Sequence, residues 1–354
     1  MESVAIIAIT KKGIEIAKSL KNKFPQWEIF VPSKFSNNDS KINWFEDSTT
    51  SKVGELFKKY EALVCIFSLG AVIRLVSPHM RDKKTDPAVI VIDDTAKFVI
   101  STLSGHLGGA NRLTEEISGI LNAIPVITTA ADVNQTIAVD LMGREFGWII
   151  DDDSTITRVS AFMVNEEKIG VYQDVGEQDW WAPKKELPKN VTIYSNLVEL
   201  KNSDSKGYLI ISDKSIDDKE LLKNAVVYRP KTLVVGVGLH WDTTKETIKE
   251  GIEFCMKKFS LSPKSIARFA SIKKESAVIG LQELAKEWNI PIDYFEKEQL
   301  AQIAIPNPSE TVQAFEGTPN VSEASALHSS NGRLVVEKQK FPPNLTVAIA
   351  RISK

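Results

Sequence analysis

A histidine stands in a glycine-rich segment, within the stretch STLSGHLGGANRLTEE that begins at Ser101. His106 lies among Gly105, Gly108 and Gly109. An imidazole titrates near neutral pH and can accept or donate a proton in a reaction. Glycines allow the backbone to approach a bound molecule closely. We therefore interpret the segment as a candidate site, the alternative being a structural histidine whose ring bonds to the backbone.

Two polar side chains in the same stretch, Ser104 and Asn111, are further candidates for substrate contacts. No GKS or GKT sequence follows, and the glycines do not form a GxGxxG pattern. The stretch is therefore neither a phosphate-binding P-loop nor a dinucleotide fingerprint.

A second candidate site is the segment FSLGAVIRLVSPHMRDKKTDPAV, in which a buried strand opens at Gly70 into a helix. Open α/β sheets bind ligands at the carboxyl ends of strands, and helix N-terminal amides favour anions. The basic residues that follow within the segment are Arg74, Arg81, Lys83 and Lys84. We interpret the segment as a cradle for a polyanionic substrate, the alternative being a solvated surface loop.

A third candidate, VITTAADVNQTIAVD, also follows a strand and supplies Thr128, Thr129 and Asp132. Asp132 is equally well explained as the N-cap of a helix.

The fourth candidate lies in the last third of the chain, where Gly236 and Gly238 predict a tight strand-to-helix turn suited to an anionic group. Lys338 and Lys340 are two apart on one predicted strand and so share a face. The alternative is that these lysines only protect an edge strand from aggregation.

Several classes of protein are disfavoured by composition. The chain has 44 basic and 46 acidic residues and a net charge of −2, which argues against a general nucleic-acid binder. No apolar run approaches the roughly 18 residues that a membrane span needs. The four histidines show no HxxxH or Cys/His spacing, so we expect no metal site. Cys65 and Cys255 lie in apolar segments, which indicates buried thiols and a cytoplasmic location.

Apolar strands alternate with amphipathic helices along the 354 residues, which predicts an α/β fold of several domains. We expect a mostly parallel, three-layer α/β/α domain over residues 1–139 and a small α/β middle region over residues 140–228. A C-terminal α/β domain with a mixed sheet should cover residues 229–354. Helices are predicted to begin near Leu107 and, in the stretch SPKSIARFAS, at Pro263.

Two sets of motifs stand in the N-terminal and C-terminal parts of the chain. The first comprises SPHMRDKKTDPAVIVIDDTAKFVISTLSGHLGGANRL and PVITTAADVN. The second comprises GVGLHWDTTKETI, IPNPSETV, GTPNVSEASAL and VVEKQK. With these motifs, nearly the whole chain, in order, resembles the cobalt-precorrin-5A hydrolases of anaerobic cobalamin biosynthesis. The family's glycine turn is usually followed by a cysteine and a basic residue, where this chain has Leu239 and His240.

The resemblance implies a reaction and a substrate. The substrate would be a cobalt tetrapyrrole closed into a δ-lactone, which the enzyme opens with water and from which it releases acetaldehyde. No cofactor would be needed beyond the cobalt that the substrate carries. Arg74, Lys83, Lys84 and Lys338 would bind the substrate carboxylates. His106 would be the acid–base group, with Asp93 or Asp132 as the residues to which that role could pass.

The cobalt corrinoid is the expected partner, and a homodimer and transient contacts with methyltransferases of the same pathway are further candidates. Two other classes of function stay open at this point. The chain could be a non-catalytic carrier of corrinoid intermediates, or a nucleotide-binding α/β protein that uses the same glycine turns.

Overall fold

The computed structural model describes residues 1, 3–37, 39–82, 85–106, 108–129, 136–181, 186–274, 276–309 and 318–353. The chain divides into two compact units, Met1–Leu141 and Met142–Lys354. The first unit has one sheet and the second has two.

The first unit is built on a seven-stranded sheet in the order β3-β2-β1-β4-β5-β6-β7. Its strands are β1 (Val4–Ala8), β2 (Glu28–Pro32), β3 (Ile42–Phe45), β4 (Ala62–Ile66), β5 (Ala88–Ile92), β6 (Phe98–Leu103) and β7 (Ile124–Val126). Strands β1 to β5 run parallel, whereas β6 is antiparallel to β5 and carries β7 parallel to itself. The prediction of a mostly parallel sheet is confirmed.

Helices cover both faces of this sheet. They are α1 (Lys11–Lys23), α2 (Thr49–Lys59), α3 (Leu69–Val76) and α4 (Ala110–Leu121). Alternate side chains of a strand point to opposite faces, and β1 shows this directly. Its Val4 and Ile6 pack with α1 and α4, whereas Ala5 and Ile7 pack with α2 and α3. The three-layer prediction is therefore confirmed.

The second unit begins with a five-stranded sheet in the order β10-β9-β11-β12-β8. Its strands are β8 (Ile149–Ile150), β9 (Ile169–Gln173), β10 (Val191–Tyr194), β11 (Gly207–Ile211) and β12 (Ala225–Arg229), with helices α5 (Ile156–Val164), α6 (Leu197–Asn202) and α7 (Lys219–Leu222). Only the short edge strand β8 is antiparallel to its neighbour.

The last sheet has the order β15-β14-β13-β17-β16 and is mixed, as predicted. Its strands are β13 (Leu233–Leu239), β14 (Ile266–Ile272), β15 (Ile292–Phe295), β16 (Arg333–Phe341) and β17 (Leu345–Arg351), with helices α8 (Lys245–Lys258), α9 (Ile279–Trp288), α10 (Lys297–Ala301) and α11 (Val321–Ser330). Strands β13, β14 and β15 are parallel, and β16 and β17 form an antiparallel pair at the other side.

Buried charges join the two sheets of the second unit. Asp213 follows β11 and is fully buried. It accepts from Arg351 Nε and Nη2 at 2.7 and 2.8 Å and from the Thr232 hydroxyl at 2.9 Å. Arg229 at the end of β12 donates to Asp151 at 2.6 Å. A buried charge is tolerated only when it is paired and hydrogen-bonded, so the contacts of Asp213 fix the two sheets to each other, whereas the Arg229–Asp151 bond lies within the first of them.

Two helix predictions need correction. The stretch that begins at Pro263 forms a single 3₁₀ turn, Pro263–Ser265, and then strand β14. Its β-branched and aromatic side chains pair well between β13 and β15, and this pairing outweighs the helical start signal. Helix α4 begins at Ala110 and not near Leu107, which lies outside the described residues. Gly109 precedes it with a φ of 79°.

Candidate active site

The loop that carries His106 follows β6 at one edge of the first sheet. Because β6 is antiparallel to β5, the end of β6 lies where β5 begins, with Leu103 opposite Val89. We call this the His106 edge. Backbone hydrogen bonds close the loop, from Gly109 N–H to the His106 carbonyl at 3.0 Å and from Ala110 N–H to the Ser104 carbonyl at 3.2 Å.

The loop is tightly packed against itself. A Cβ added at Gly108 would lie 2.3 Å from Cβ of Ser104, and one at Gly105 would lie 2.7 Å from Oδ1 of Asn111. Ser104 itself has a φ of 55°. A non-glycine residue in this left-handed region costs about 1–2 kcal/mol. The close packing of the loop is therefore sufficient to explain the glycines at Gly105 and Gly108. Backbone strain such as that at Ser104 concentrates at functional sites.

His106 faces a carboxylate. Its Nδ1 lies 3.6 Å from Oδ1 of Asp140, and the two side chains are only 15% and 21% exposed. A carboxylate at this position favours the imidazolium form and orients the ring. The pair therefore has the residue types of a general base, His106, and of the carboxylate that orients it, Asp140.

Asn111 bridges three elements at the same edge. Its Oδ1 accepts from the Ser101 hydroxyl on β6 at 2.6 Å, and its Nδ2 donates to the Thr129 hydroxyl at 2.9 Å. The side chain is buried. It ties α4 to β6 and to the segment after β7, where Thr128 is exposed. Asp132 lies outside the described residues.

Residues that flank the lysine pair in the sequence contact the same loop. The Ser104 hydroxyl donates to the carbonyl of Asp86 at 2.9 Å. The carboxylate of Asp86 accepts from the backbone N–H of Arg81 at 3.0 Å. Lys83 and Lys84 lie outside the described residues, but the residues on either side of them are held at the His106 edge.

Asp93 lies at the opposite edge of the sheet. The six-residue strand β6 separates it from His106 by roughly 17 Å along the strand. Its carboxylate accepts from Phe98 N–H at 2.6 Å and from Thr95 N–H at 3.0 Å, which closes the β5–β6 turn. Burial alone would raise the pKa of Asp93, but these bonds and one from the Thr95 hydroxyl hold it below its usual value. The geometry fits a turn-forming role and does not make Asp93 a neighbour of His106.

Gly70 also lies away from His106. It belongs to the first turn of α3, beyond the carboxyl end of β4 and so at the Asp93 edge. Arg74 is one turn further along the helix, where its Nη1 donates to the Gly70 carbonyl at 3.2 Å. Of the predicted basic segment, Gly70 therefore lies at the edge opposite His106 and Arg74 lies on α3, whereas Lys83 and Lys84 are outside the described residues.

Gly236 and Gly238 do not form the predicted strand-to-helix turn. Both lie inside β13. A Cβ at Gly236 would lie 2.0 Å from the backbone oxygen of Ser322, and one at Gly238 would lie 2.4 Å from the Thr346 hydroxyl. The glycines allow α11 to pack directly on the sheet.

The backbone of Lys338 is hydrogen-bonded to a buried carboxylate. Glu323, at the start of α11, is fully buried. It accepts from the backbone N–H of Lys338 at 2.9 Å, and from Nδ2 of Asn307 and of Asn320, each at 2.7 Å. The Lys338 ammonium donates to the Asn307 carbonyl at 2.6 Å, and burial lowers its pKa. The strand register shifts beside Lys338, so it does not form a regular pair with β17.

Sequence reasoning missed Glu323, Asn307 and Asn320 as a group. Asn320 is the N-cap of α11 and accepts from the backbone N–H of Glu323 at 3.1 Å. The spacing Asn-x-x-Glu before an apolar helix is a capping signal that could have identified two of them. No local sequence pattern predicts that Asn307 contacts the same carboxylate.

No group of three or more His, Cys, Asp or Glu side chains is arranged to hold a metal ion within the described residues. Among the same residues, no helix is long and apolar enough to cross a membrane. Both cysteines are buried and free, and burial raises the pKa of Cys65 to about 12.

Three sequence models of one family match the chain in order. Residues 51–132 match the Cobalamin synthesis G N-terminal region, residues 137–230 the Cobalamin biosynthesis central region and residues 233–350 the Cobalamin synthesis G C-terminus. A relative named cobalt-precorrin-5A hydrolase, from Priestia megaterium, is 39% identical over 98% of this chain and 94% of its own length. The chain belongs to the cobalamin synthesis G family.

Two further similarities span the chain. A relative from Salmonella typhimurium, also named cobalt-precorrin-5A hydrolase, is 29% identical over 95% of this chain and 94% of its own length. The crystal structure of a cobalamin biosynthesis protein G homologue from Sulfolobus solfataricus is 23% identical and covers 99% of this chain and 98% of its own, with a TM-score of 0.39.

Proposed function

We propose that this protein is a cobalt-precorrin-5A hydrolase, which opens the δ-lactone of a cobalt corrinoid with water and releases acetaldehyde. The observation that carries the proposal is the relationship to a cobalt-precorrin-5A hydrolase at 39% identity over nearly the full length of both chains. The His106–Asp140 pair at 3.6 Å supplies a chemical group of the kind that hydrolysis needs.

In the first step, His106 accepts a proton from water, and the water oxygen bonds to the lactone carbonyl carbon. The negative charge of Asp140 stabilises the imidazolium that forms. The backbone N–H of Gly108 is the donor that we assign to the oxyanion.

In the second step, the carbonyl re-forms, the ester C–O bond breaks, and the imidazolium returns its proton to the departing alkoxide. The alcohol then becomes the C=O of acetaldehyde as its carbon–carbon bond to the macrocycle breaks. The electron pair of that bond stays on the macrocycle, and the alcohol proton is released to solvent.

The substrate's acetate and propionate groups require cations. Lys83, Lys84 and Arg74 are the residues that we assign to them, and Lys338 is a further candidate. No cofactor enters this scheme beyond the cobalt of the substrate, which takes no part in lactone hydrolysis as written.

The test is incubation of the purified protein with cobalt-precorrin-5A, with acetaldehyde measured by a coupled alcohol dehydrogenase and the corrinoid followed by mass spectrometry. We expect one acetaldehyde for each corrinoid converted. A protein that binds the substrate but releases no acetaldehyde would be a carrier of corrinoid intermediates and not a hydrolase.

The setting of the reaction is part of the same proposal. We expect a cytoplasmic enzyme, since both of its thiols are free, that acts as a homodimer and passes its product to neighbouring methyltransferases. Analytical ultracentrifugation and co-purification with those methyltransferases test the two kinds of contact.

A further inference from the structure

His240 and Asp242 form a hydrogen-bonded pair on the surface of the second unit, directly after β13. Nδ1 of His240 lies 2.7 Å from Oδ1 of Asp242, to which Asn344 also donates at 3.3 Å. A carboxylate only accepts hydrogen bonds, so Nδ1 of His240 is the donor of this bond. Nε2 therefore presents a lone pair, and no described residue is hydrogen-bonded to it.

The turn that holds this pair is rigid. Thr243 is buried, and its hydroxyl accepts from the backbone N–H of His240 at 3.1 Å. The same hydroxyl lies 3.0 Å from the Asn344 carbonyl, which also accepts from His240 N–H at 3.1 Å. The backbone of His240 is fixed in this way and its ring is held by Asp242, so little entropy is lost when the ring binds a ligand.

The surroundings of the pair suit a flat molecule with an apolar face and an anionic rim. Trp241 is 72% exposed and its ring lies 5.6 Å from that of His240. Helix α8 begins beside it, capped by Thr244. Helix α9 begins close by, because a Cβ at Gly280 would lie 2.5 Å from the Thr243 carbonyl, and its first residue, Ile279, is 68% exposed. Exposed apolar side chains mark binding surfaces, and helix N-termini favour carboxylates.

We propose that Nε2 of His240 binds the cobalt ion of the corrinoid substrate, with Asp242 as the positioning residue. This inference rests on the proposed function, which provides a cobalt corrinoid as substrate. Histidines that bind metals commonly donate their other N–H to a carboxylate. Binding is a ligand exchange in which a water leaves one axial position of the cobalt and the imidazole lone pair forms the new bond. No electron is transferred, and the oxidation state of the cobalt does not change.

Electron paramagnetic resonance tests the bond directly. The probe is cob(II)yrinic acid, a cobalt corrinoid that carries free carboxylates and has no nucleotide base of its own. An axial nitrogen splits each cobalt hyperfine line into a triplet, whereas an axial water does not. We expect the triplet with the wild-type protein, a doublet when its histidines carry the heavy nitrogen isotope, and no splitting with His240→Ala.

The positioning role of Asp242 is tested by the affinity for the corrinoid. Asp242→Asn should keep the nitrogen splitting but weaken binding of the corrinoid by about 10- to 100-fold, as is usual when the partner of a metal-bound histidine is lost. His106→Ala is the matched control, because it removes a histidine of the first unit. It should keep the triplet while acetaldehyde release from cobalt-precorrin-5A falls.

Two results would overturn the assignment and leave the hydrolase standing. One is release of acetaldehyde by the wild-type protein together with an unsplit spectrum of the bound corrinoid. The other is a triplet that persists in His240→Ala. A protein that neither binds cob(II)yrinic acid nor releases acetaldehyde would contradict the proposed function, and the cobalt ligand with it.

Discussion

Nδ1 of His106 lies 3.6 Å from Oδ1 of Asp140, and both side chains are largely buried. The two residues belong to the same unit and are separated in sequence by α4, β7 and the segment after β7. A partly buried carboxylate so close to an imidazole stabilises the imidazolium that forms on proton transfer more than it would in water. This relationship makes His106 a stronger candidate for proton transfer than its position in a glycine-rich loop alone indicates.

The first prediction concerns replacement of His106. His106→Ala should lower the rate of acetaldehyde release by roughly 10²- to 10⁴-fold, the usual contribution of a general acid–base group. Stability should fall by less than the roughly 3–5 kcal/mol that loss of one member of a fully buried ion pair costs, because Asp140 is 21% exposed and water can reach it. Steady-state kinetics and urea unfolding measure the two effects.

His106→Asn sharpens this test, because asparagine keeps a hydrogen bond but cannot transfer a proton at neutral pH. Near-normal turnover in this variant would make His106 an orienting or structural group. A clear loss of stability with only a modest loss of rate would point the same way. Asp93 could not then replace it, since it lies at the other end of β6.

The second prediction concerns Lys83 and Lys84. Neutralising both, as Lys83→Gln with Lys84→Gln, should raise KM more than it lowers kcat, because uniform binding of substrate carboxylates is lost. The KM of the wild-type protein should also rise with salt. The matched control is Lys58→Gln with Lys59→Gln, an exposed adjacent pair at the end of α2. An unchanged KM in the first variant would remove these lysines from the site.

The third prediction concerns metal removal. Treatment with a chelator that leaves the cobalt of the corrin in place should not reduce acetaldehyde release, because the proposed steps use only water and protein side chains. Turnover that is lost with the chelator and restored by an added divalent metal would contradict this expectation.

Local sequence patterns were sufficient for most of the fold. The buried strand that contains Cys65 reads as a continuous apolar run because both of its faces are covered, and this predicted the parallel sheet. The stretch from Ile266 to Ile272 was mispredicted as helix, since its capping signal is local but its pairing partners, β13 and β15, are distant in sequence.

The candidate site was only partly predictable for the same reason. The His106 loop carries its own signal in its glycines. The antiparallel turn after Asp93 has no such signal, and that turn decides which edge each candidate occupies. The sequence predicts a turn at Gly236, but a missing side chain permits either a turn or the close packing of a helix. Only the position of α11 distinguishes the two.

The fourth prediction concerns the junction between the two sheets of the second unit. Arg351→Ala leaves the buried carboxylate of Asp213 without its bidentate partner. Loss of one member of a buried ion pair costs about 3–5 kcal/mol, so the urea midpoint of this unit should fall sharply. Arg333→Ala, at an exposed arginine at the start of β16, is the control and should change stability by about 0.5 kcal/mol or less. Equal effects in the two variants would contradict the role of the pair.

The fifth prediction concerns close packing at Gly236. In Gly236→Ala the new methyl group would lie 2.0 Å from the backbone oxygen of Ser322, so α11 must move away from β13. Overpacking of this kind costs typically about 1–3 kcal/mol, and a rigid backbone neighbour favours the upper end of that range. Because Glu323 at the start of α11 holds the backbone of Lys338, substrate affinity should weaken along with stability. Gly119→Ala is the matched control: Gly119 lies within α4 with no atom near its added Cβ, and alanine there should stabilise by up to about 1 kcal/mol. Urea unfolding of both variants, with KM measured on each, separates the effects. If Gly236→Ala were as stable as the wild-type protein, direct contact between α11 and the sheet would not be the reason for the glycine, and a role for Gly236 at the substrate would regain support.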